Sequence, residues 1–136
     1  MNIIICIDDA GGMLFYGRRQ SKDRILRQHA VMLAQGQPLW MNGYTARQFT
    51  QEEYPVITDE RFLENAPETA WCFVENSDPL PYLEKIRQVA VYRWNRLYPS
   101  DVKFPMEQFA RRWQMVSTRE FAGSSHERIT EEVYRL

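Results

Sequence analysis

A single carboxylate, Asp23, stands in a run of cations. The stretch "GGMLFYGRRQSKDR", residues 11–24, carries Arg18, Arg19, Lys22 and Arg24, and Arg27 follows one turn later. Two chemistries are open to such a group. A carboxylate at a helix start can hold a ligand, or it can complement the helix dipole and its cationic neighbours. The basic set could hold an anion or form a solvated helix face. The glycines suggest a phosphate loop, but no GxGxxG is present and no phosphate-binding helix pattern follows. Asp8-Asp9 would need further carboxylate or His ligands to bind a metal, and with none nearby the pair reads as the start of a turn. His29 falls on the apolar side of a helical pattern, as a partly buried, hydrogen-bonded imidazole. "SSHER" around His126 suggests nucleophilic chemistry, yet no strained elbow or oriented Asp accompanies it, and the motif is discounted. The two His and two Cys are too far apart for a zinc spacing, and no metal is expected. Cys6 and Cys72 lie inside the apolar runs "IIICI" and "AWCFV", as buried free thiols in neighbouring strands.

The elements that must position these groups follow from periodicity. "NIIICI" is a β-branched run suited to a central strand buried on both faces, and "DDAGG" breaks it. From Ser21 the period becomes helical: Ile25, Leu26, His29, Met32 and Leu33 share a side. Ser21 is the expected N-cap and Gly36 the C-terminal stop, which puts Asp23 in the first helical turn. "QPLWMN" and "YPVITD" read as short strands, "YTARQFTQEEY" as a short helix and "DERFLENA" as a helical turn. "TAWCFVEN" is a clear strand, and "LPYLEKIRQ" a short helix introduced by Pro79 and Pro81. "VAVYRWNRLY", "RWQMVSTREF" and "ERITEEVYRL" are strands, the last two separated by the turn-rich "AGSSH". Glu131 and Glu132 are placed on a wet strand face, Trp94 and Trp113 in the hairpin layer, and Trp40 beside a pocket. Helical crossovers early in the chain imply parallel neighbours, and the closing pair without a helix implies an antiparallel edge.

With 136 residues, one domain spanning 1–136 is expected. A formal net charge of −1 gives no sustained cationic excess to draw nucleic acid or a membrane surface. No window reaches the roughly 20 apolar residues of a membrane span, and the N-terminus has no signal pattern, so a cytoplasmic location is expected.

Four stretches carry a family pattern in order. "IIICIDDAGGMLFYGRRQSKDRILRQ" supplies Asp9, Gly11 or Gly12, Met13, the Phe15-Tyr16-Gly17 turn and Asp23. "LWMNGYT" supplies Met41 and Thr45, and "VAVYRWNRLYPSDVKFP" supplies Asp101, Phe104 and Pro105. "RWQMVSTREFAGSSHERITEEVYRL" supplies a closing hairpin. Over nearly the whole chain this outline resembles the dihydrofolate reductase family. The resemblance implies an α/β dihydrofolate reductase-like fold: a mixed, mainly parallel sheet flanked by helices, with a C-terminal antiparallel hairpin. It implies that Asp23 takes the place of the helix-start carboxylate that anchors the substrate ring, and that Tyr92 takes the place of the threonine relaying to it. Both are the candidate catalytic residues.

Departures from the pattern bear on activity. The family holds its nicotinamide cofactor with an arginine in G-R-x-T, a second Ser/Thr-Arg strand end and a paired-glycine loop. Here the first reads Asn42-Gly43-Tyr44-Thr45, leaving Thr45 as a vestigial cofactor contact. The loop after "AWCFV" reads Glu75-Asn76-Ser77-Asp78, with two carboxylates where a phosphate would sit. The segment between Thr45 and Trp71 is too short for the adenosine-side strand and helix. The expectation is a divergent, non-reductase member that needs no cofactor. A pocket between the first helix and the central sheet, lined by Ile5, Cys6, Asp23, Leu26, Phe49, Tyr92 and Arg93, would take a small planar or anionic ligand, unless the surface serves a protein partner. The alternative is an NADP-dependent oxidoreductase of a pteridine-like substrate with an altered cofactor-binding mode. Oligomeric state, a homo-oligomer included, is left open by the sequence, as is whether Arg93 neutralises Asp23.

Overall fold

Strand β1 (Asn2–Ile7) occupies the middle of the sheet because both of its faces are apolar. In the computed structural model, which describes residues 1–49 and 54–136, Ile3, Ile5 and Ile7 enter one core. Ile4 enters the opposite core, and Cys6 packs against it. Strands β2 (Gly12–Phe15) and β3 (Arg18–Arg19) form a hairpin closed by Tyr16 and Gly17, at φ 49° and 73°. Two consecutive positive φ values make the primed two-residue turn that matches strand twist. Helix α1 (Arg24–Leu33) buries Leu26 and Ala30 against the second core. Its N-cap is Asp23, at φ −152° and ψ 126°, not Ser21, so the carboxylate precedes the first turn instead of lying in it. Gly36, at φ 84°, follows the helix in the left-handed position that favours glycine.

The chain continues through β4 (Leu39–Met41), α2 (Gly43–Ala46), and a 3₁₀ turn over Arg47–Phe49. The helix expected over "YTARQFTQEEY" is thus two short pieces, and its residues 50–53 lie outside the described residues. Next come β5 (Val56–Thr58), α3 (Phe62–Asn65) and β6 (Trp71–Phe73). The short helix expected over "LPYLEKIRQ" is a 3₁₀ segment, Leu80–Lys85. Strand β7 (Gln88–Arg93) and strand β8 (Val102–Lys103) precede α4 (Met106–Ala110), and the hairpin β9 (Gln114–Phe121) and β10 (Ile129–Arg135) closes the chain.

Seven strands form the main sheet in the order β5-β4-β6-β1-β7-β10-β9. Strands β5, β4, β6, β1 and β7 run parallel, and β10 is antiparallel to both β7 and β9. The mainly parallel sheet with its C-terminal antiparallel hairpin is the expected architecture. The small second sheet, β3-β2-β8, was not foreseen, because strands of two residues leave no periodic signal. The α1 face packs Leu26, Phe49, Phe73, Tyr92 and Trp94; the other face packs Phe62, Leu63, Phe104 and Phe109. On β10, Ile129, Glu131 and Val133 share the buried side. Glu131 therefore departs from the wet face assigned to it. Strand β9 is the free edge of the sheet and is exposed along nearly all its length.

Candidate functional site

Asp23 is buried where the start of α1 meets the loop joining β9 and β10. One oxygen, Oδ1, accepts from Leu26 N at 3.0 Å and Ser124 N at 3.1 Å. The other, Oδ2, accepts from Ser125 N at 2.8 Å, lies 3.1 Å from Ser125 Oγ and 3.3 Å from His126 Nδ1. Gly123 makes this approach feasible, because a Cβ there would meet the Asp23 carboxylate and Ile129 Cδ1. Burial alone would raise the carboxyl's pKa, but the Ser125, Ser124 and Leu26 amides, with His126, hold it well below the usual carboxylate range. Both oxygens are thus saturated by the protein itself.

His126 is buried and continues the network. A carboxylate can only accept, so the proton between Asp23 and Nδ1 belongs to the imidazole, and in the neutral ring Nε2 is the acceptor. Tyr98 Oη lies 2.8 Å from that Nε2. The Trp94 indole stacks on the imidazole, with centroids 4.5 Å apart. The oriented Asp that "SSHER" lacked in sequence is Asp23, 103 positions away.

A second cluster fills the crevice where the C-terminal ends of β1 and β6 diverge. The connection from β1 leads to α1 on one face and that from β6 to the 3₁₀ segment on the other, which makes this the topological switch point where open α/β sheets bind ligands. Here Arg19, delivered by β3, donates from Nε to Glu75 Oε2 at 2.8 Å and from Nη2 to Glu75 Oε1 at 3.0 Å. Its guanidinium also donates to Tyr44 O at 3.1 Å and lies 4.2 Å from the Tyr44 ring centroid. The Thr45 hydroxyl donates to Glu75 Oε1 at 2.9 Å. What remains beside Cys6, Met13 and Trp94 is a void of about 10 Å³, no larger than one water. Asn76 Oδ1 accepts from Asn42 Nδ2 at 2.7 Å, and Asp78 Oδ1 from Leu80 N at 3.0 Å, so both side chains of this exposed part of the loop have partners.

The expected pocket residues separate into two sets. Cys6, Leu26, Phe49 and Tyr92 meet on the α1 face, whereas Ile5 points into the opposite core because strand side chains alternate. Tyr92 donates its hydroxyl to Glu131 Oε2 at 2.7 Å, and burial together with that carboxylate pushes the phenol's pKa well up. Arg119 Nε donates to Glu131 Oε1 at 3.0 Å, compensating the buried charge. Arg93 is one residue out of phase with Tyr92 and pairs with Glu132 at 2.6 Å, so it does not neutralise Asp23. Thr45 is buried on Glu75. His29 is partly buried, as expected, and stacks on Phe121 with centroids 3.7 Å apart; its Nδ1 lies 3.9 Å from Glu131 Oε2 and has no hydrogen-bond partner among the described residues. Asp8 does start a turn, accepting from Ala10 N and Gly12 N, and it also ties in Gln20 and Tyr98 N. Among the described residues no group of three His, Cys, Asp or Glu side chains could hold a metal ion.

No protein-family model matches the chain, and no curated protein does. A solved structure of dihydrofolate reductase from Enterococcus faecalis, complexed with NADP(H) and RAB-propyl, aligns over 98% of this chain and 94% of its own, with a TM-score of 0.68 and 11% identity. The fold is that of dihydrofolate reductase. At this identity the likeness carries the architecture and not the chemistry. Within the dihydrofolate reductase-like fold, the residues that sequence reasoning did not bring together are Ser124, Ser125 and His126 around Asp23, and Arg19 with Glu75. The arginine was visible only as one cation among several, and the Glu75 loop only as missing glycines. Among the described residues no helix is long and apolar enough to cross a membrane.

Proposed function

We propose that this chain is a divergent dihydrofolate reductase-like protein without reductase activity, which holds a small planar or anionic ligand. One observation carries the reading: the helix-start carboxylate accepts from the hairpin loop through both oxygens and has none free for a substrate ring. The Arg19–Glu75 pair supports it from the other side of β1, because it occupies the crevice that a nicotinamide would need.

The ligand site is the cavity of about 420 Å³ that remains next to this plug, between the Glu75–Leu80 loop and the small sheet. Met13, Leu14, Leu80 and Val102 supply apolar walls for a planar body, and Ser77 and Lys103 supply a donor and a cation. An anionic substituent belongs at the Lys103 end, away from Glu75 and Asp78. In this reading the protein needs no cofactor and works in the cytoplasm.

The neighbour's complex with NADP(H) favours a second reading, an NADP-dependent reductase with an altered binding mode. Titration with NADPH, read by energy transfer from tryptophan, separates the two. No saturation is expected up to about millimolar NADPH, and saturable binding in the micromolar range overturns the first reading. A thermal-shift screen of pteridines, flavins and nucleotides should find a stabilising ligand, worth about 2.7 kcal/mol at one hundred times its Kd. Val102→Trp, which fills the cavity from an exposed strand, should abolish that shift. A shift that survives Val102→Trp places the ligand elsewhere, and a protein partner becomes the better reading if no small molecule shifts the wild type.

A further inference from the structure

Asp23, His126 and Tyr98 form a chain of three acid–base groups that the ligand site does not use. The order is carboxylate, imidazole, phenol: Asp23 Oδ2 lies 3.3 Å from His126 Nδ1, and His126 Nε2 lies 2.8 Å from Tyr98 Oη. Contacts at opposite ring nitrogens are the arrangement by which a carboxylate fixes the imidazole tautomer and the imidazole takes a proton from a nucleophile. Ser125, the residue a sequence reader would choose, is not placed for that role. Its Oγ shares the Nδ1 side with Asp23, at 3.0 Å from Nδ1, and its hydroxyl lies 2.7 Å from Lys22 O, an acceptor that takes its proton. Tyr98 is half-buried, whereas the imidazole beneath it is held by Asp23, Ser125 and the Trp94 stack. A cavity of about 270 Å³ opens beside His126, lined also by Trp94, Asn95, Arg96 and Arg128.

We propose that Tyr98 is a nucleophile activated by His126, with Asp23 as positioning residue, and that it accepts an acyl group from a small activated ester or acyl-imidazole. The phenolic oxygen forms a bond to the acyl carbon while the bond from that carbon to its leaving group breaks. The phenolic proton passes to His126 Nε2 and from there to the leaving group, so charge and protons balance without a further reactant. Asp23 stays ionised and stabilises the imidazolium formed in between. Arg96 and Arg128 line the cavity together with Glu127, and Arg128 is paired with Glu120 at 3.3 Å.

Tyr16 is an internal reference, because its ring is 81% exposed. Wild-type protein is treated with limiting N-acetylimidazole near neutral pH, and acetylation at each tyrosine is read by peptide mass spectrometry over time. A hydrogen-bonded, half-buried phenol without activation reacts more slowly than an exposed one. The proposal expects Tyr98 to be acetylated at least about tenfold faster than Tyr16, within the range that general-base assistance supplies. His126→Gln should bring the ratio to one or below with Tyr16 unchanged, and Asp23→Asn should lower it without a matching change at Tyr16. Tyr98 reacting no faster than Tyr16 in the wild type overturns the proposal whether or not either variant folds. A wild-type ratio that persists in folded His126→Gln overturns it as well.

Discussion

Replacing Asp23 by Asn tests whether this carboxylate is spent on the fold. The side chain keeps its shape, but one oxygen becomes an NH₂ group facing donors. If Asn Oδ1 retains the Leu26 and Ser124 amides, the Ser125 amide loses its partner in a partly buried site, and His126 must turn or change tautomer. An unsatisfied buried donor costs about 1–3 kcal/mol, and hydrogen bonds to a charged acceptor are worth about 1.5–3 kcal/mol against about 1 for neutral ones. The expected loss is therefore about 3 kcal/mol for Asp23→Asn, and about 4 for Asp23→Ala, which also removes the helix cap. Urea unfolding followed by circular dichroism measures it, with a lower midpoint at an unchanged slope. The acid side gives an independent check. The folded carboxyl titrates below its unfolded value, so its stabilisation is complete above about pH 4 and is lost as pH falls toward the folded value. Wild-type stability should fall more steeply than that of Asp23→Asn below about pH 4. A loss under about 1 kcal/mol, with parallel pH profiles, would refute the reasoning and return Asp23 to the pool of ligand-binding groups.

Three further outcomes follow from neighbouring features. Gly123→Ala should destabilise by about 1–3 kcal/mol, since its Cβ would press on Asp23 and Ile129, and an intact unfolding midpoint would contradict that packing. Breaking the crevice plug with Arg19→Met alone should cost about 3 kcal/mol by stranding Glu75, whereas Arg19→Met with Glu75→Leu should recover most of it; additive losses would show that the two residues act separately. Buried Cys72, whose pKa is pushed up to about 12, should resist a neutral disulfide reagent in the native state and react fully once unfolded, and half-buried Cys6, also pushed well up, should react only slowly before unfolding. Prompt native labelling would count against the buried-strand assignment.

The sheet was legible wherever apolar runs were long enough to have a period. The parallel centre and the closing hairpin both followed from such runs. The site was less legible, for reasons of distance and phase. The partners of Asp23 lie 101 to 103 positions downstream, and no local pattern encodes that meeting. Ile5 was grouped with Leu26 and Tyr92 as lining one pocket, although strand alternation sends it to the other core. Glu131 looked like a wet residue because it is charged; it is buried because Tyr92 and Arg119 pair its carboxylate, and neither partnership can be read from "TEEVY". The N-cap of helix α1 lies two residues after Ser21 because Asp23 caps the helix while also holding the distant loop.

That double duty ties the kinetics of the two chain ends together. The Asp23 carboxylate caps the first turn of α1 and simultaneously closes a loop of about 100 residues, so neither end can fray alone. The Leu26, Ser124 and Ser125 amides share this one acceptor group, so hydrogen exchange at all three is expected to be linked. During refolding, α1 can form its turns and its local cap early, whereas the Ser124 and Ser125 contacts to Asp23 require the hairpin to be in place, which makes this junction a non-local event.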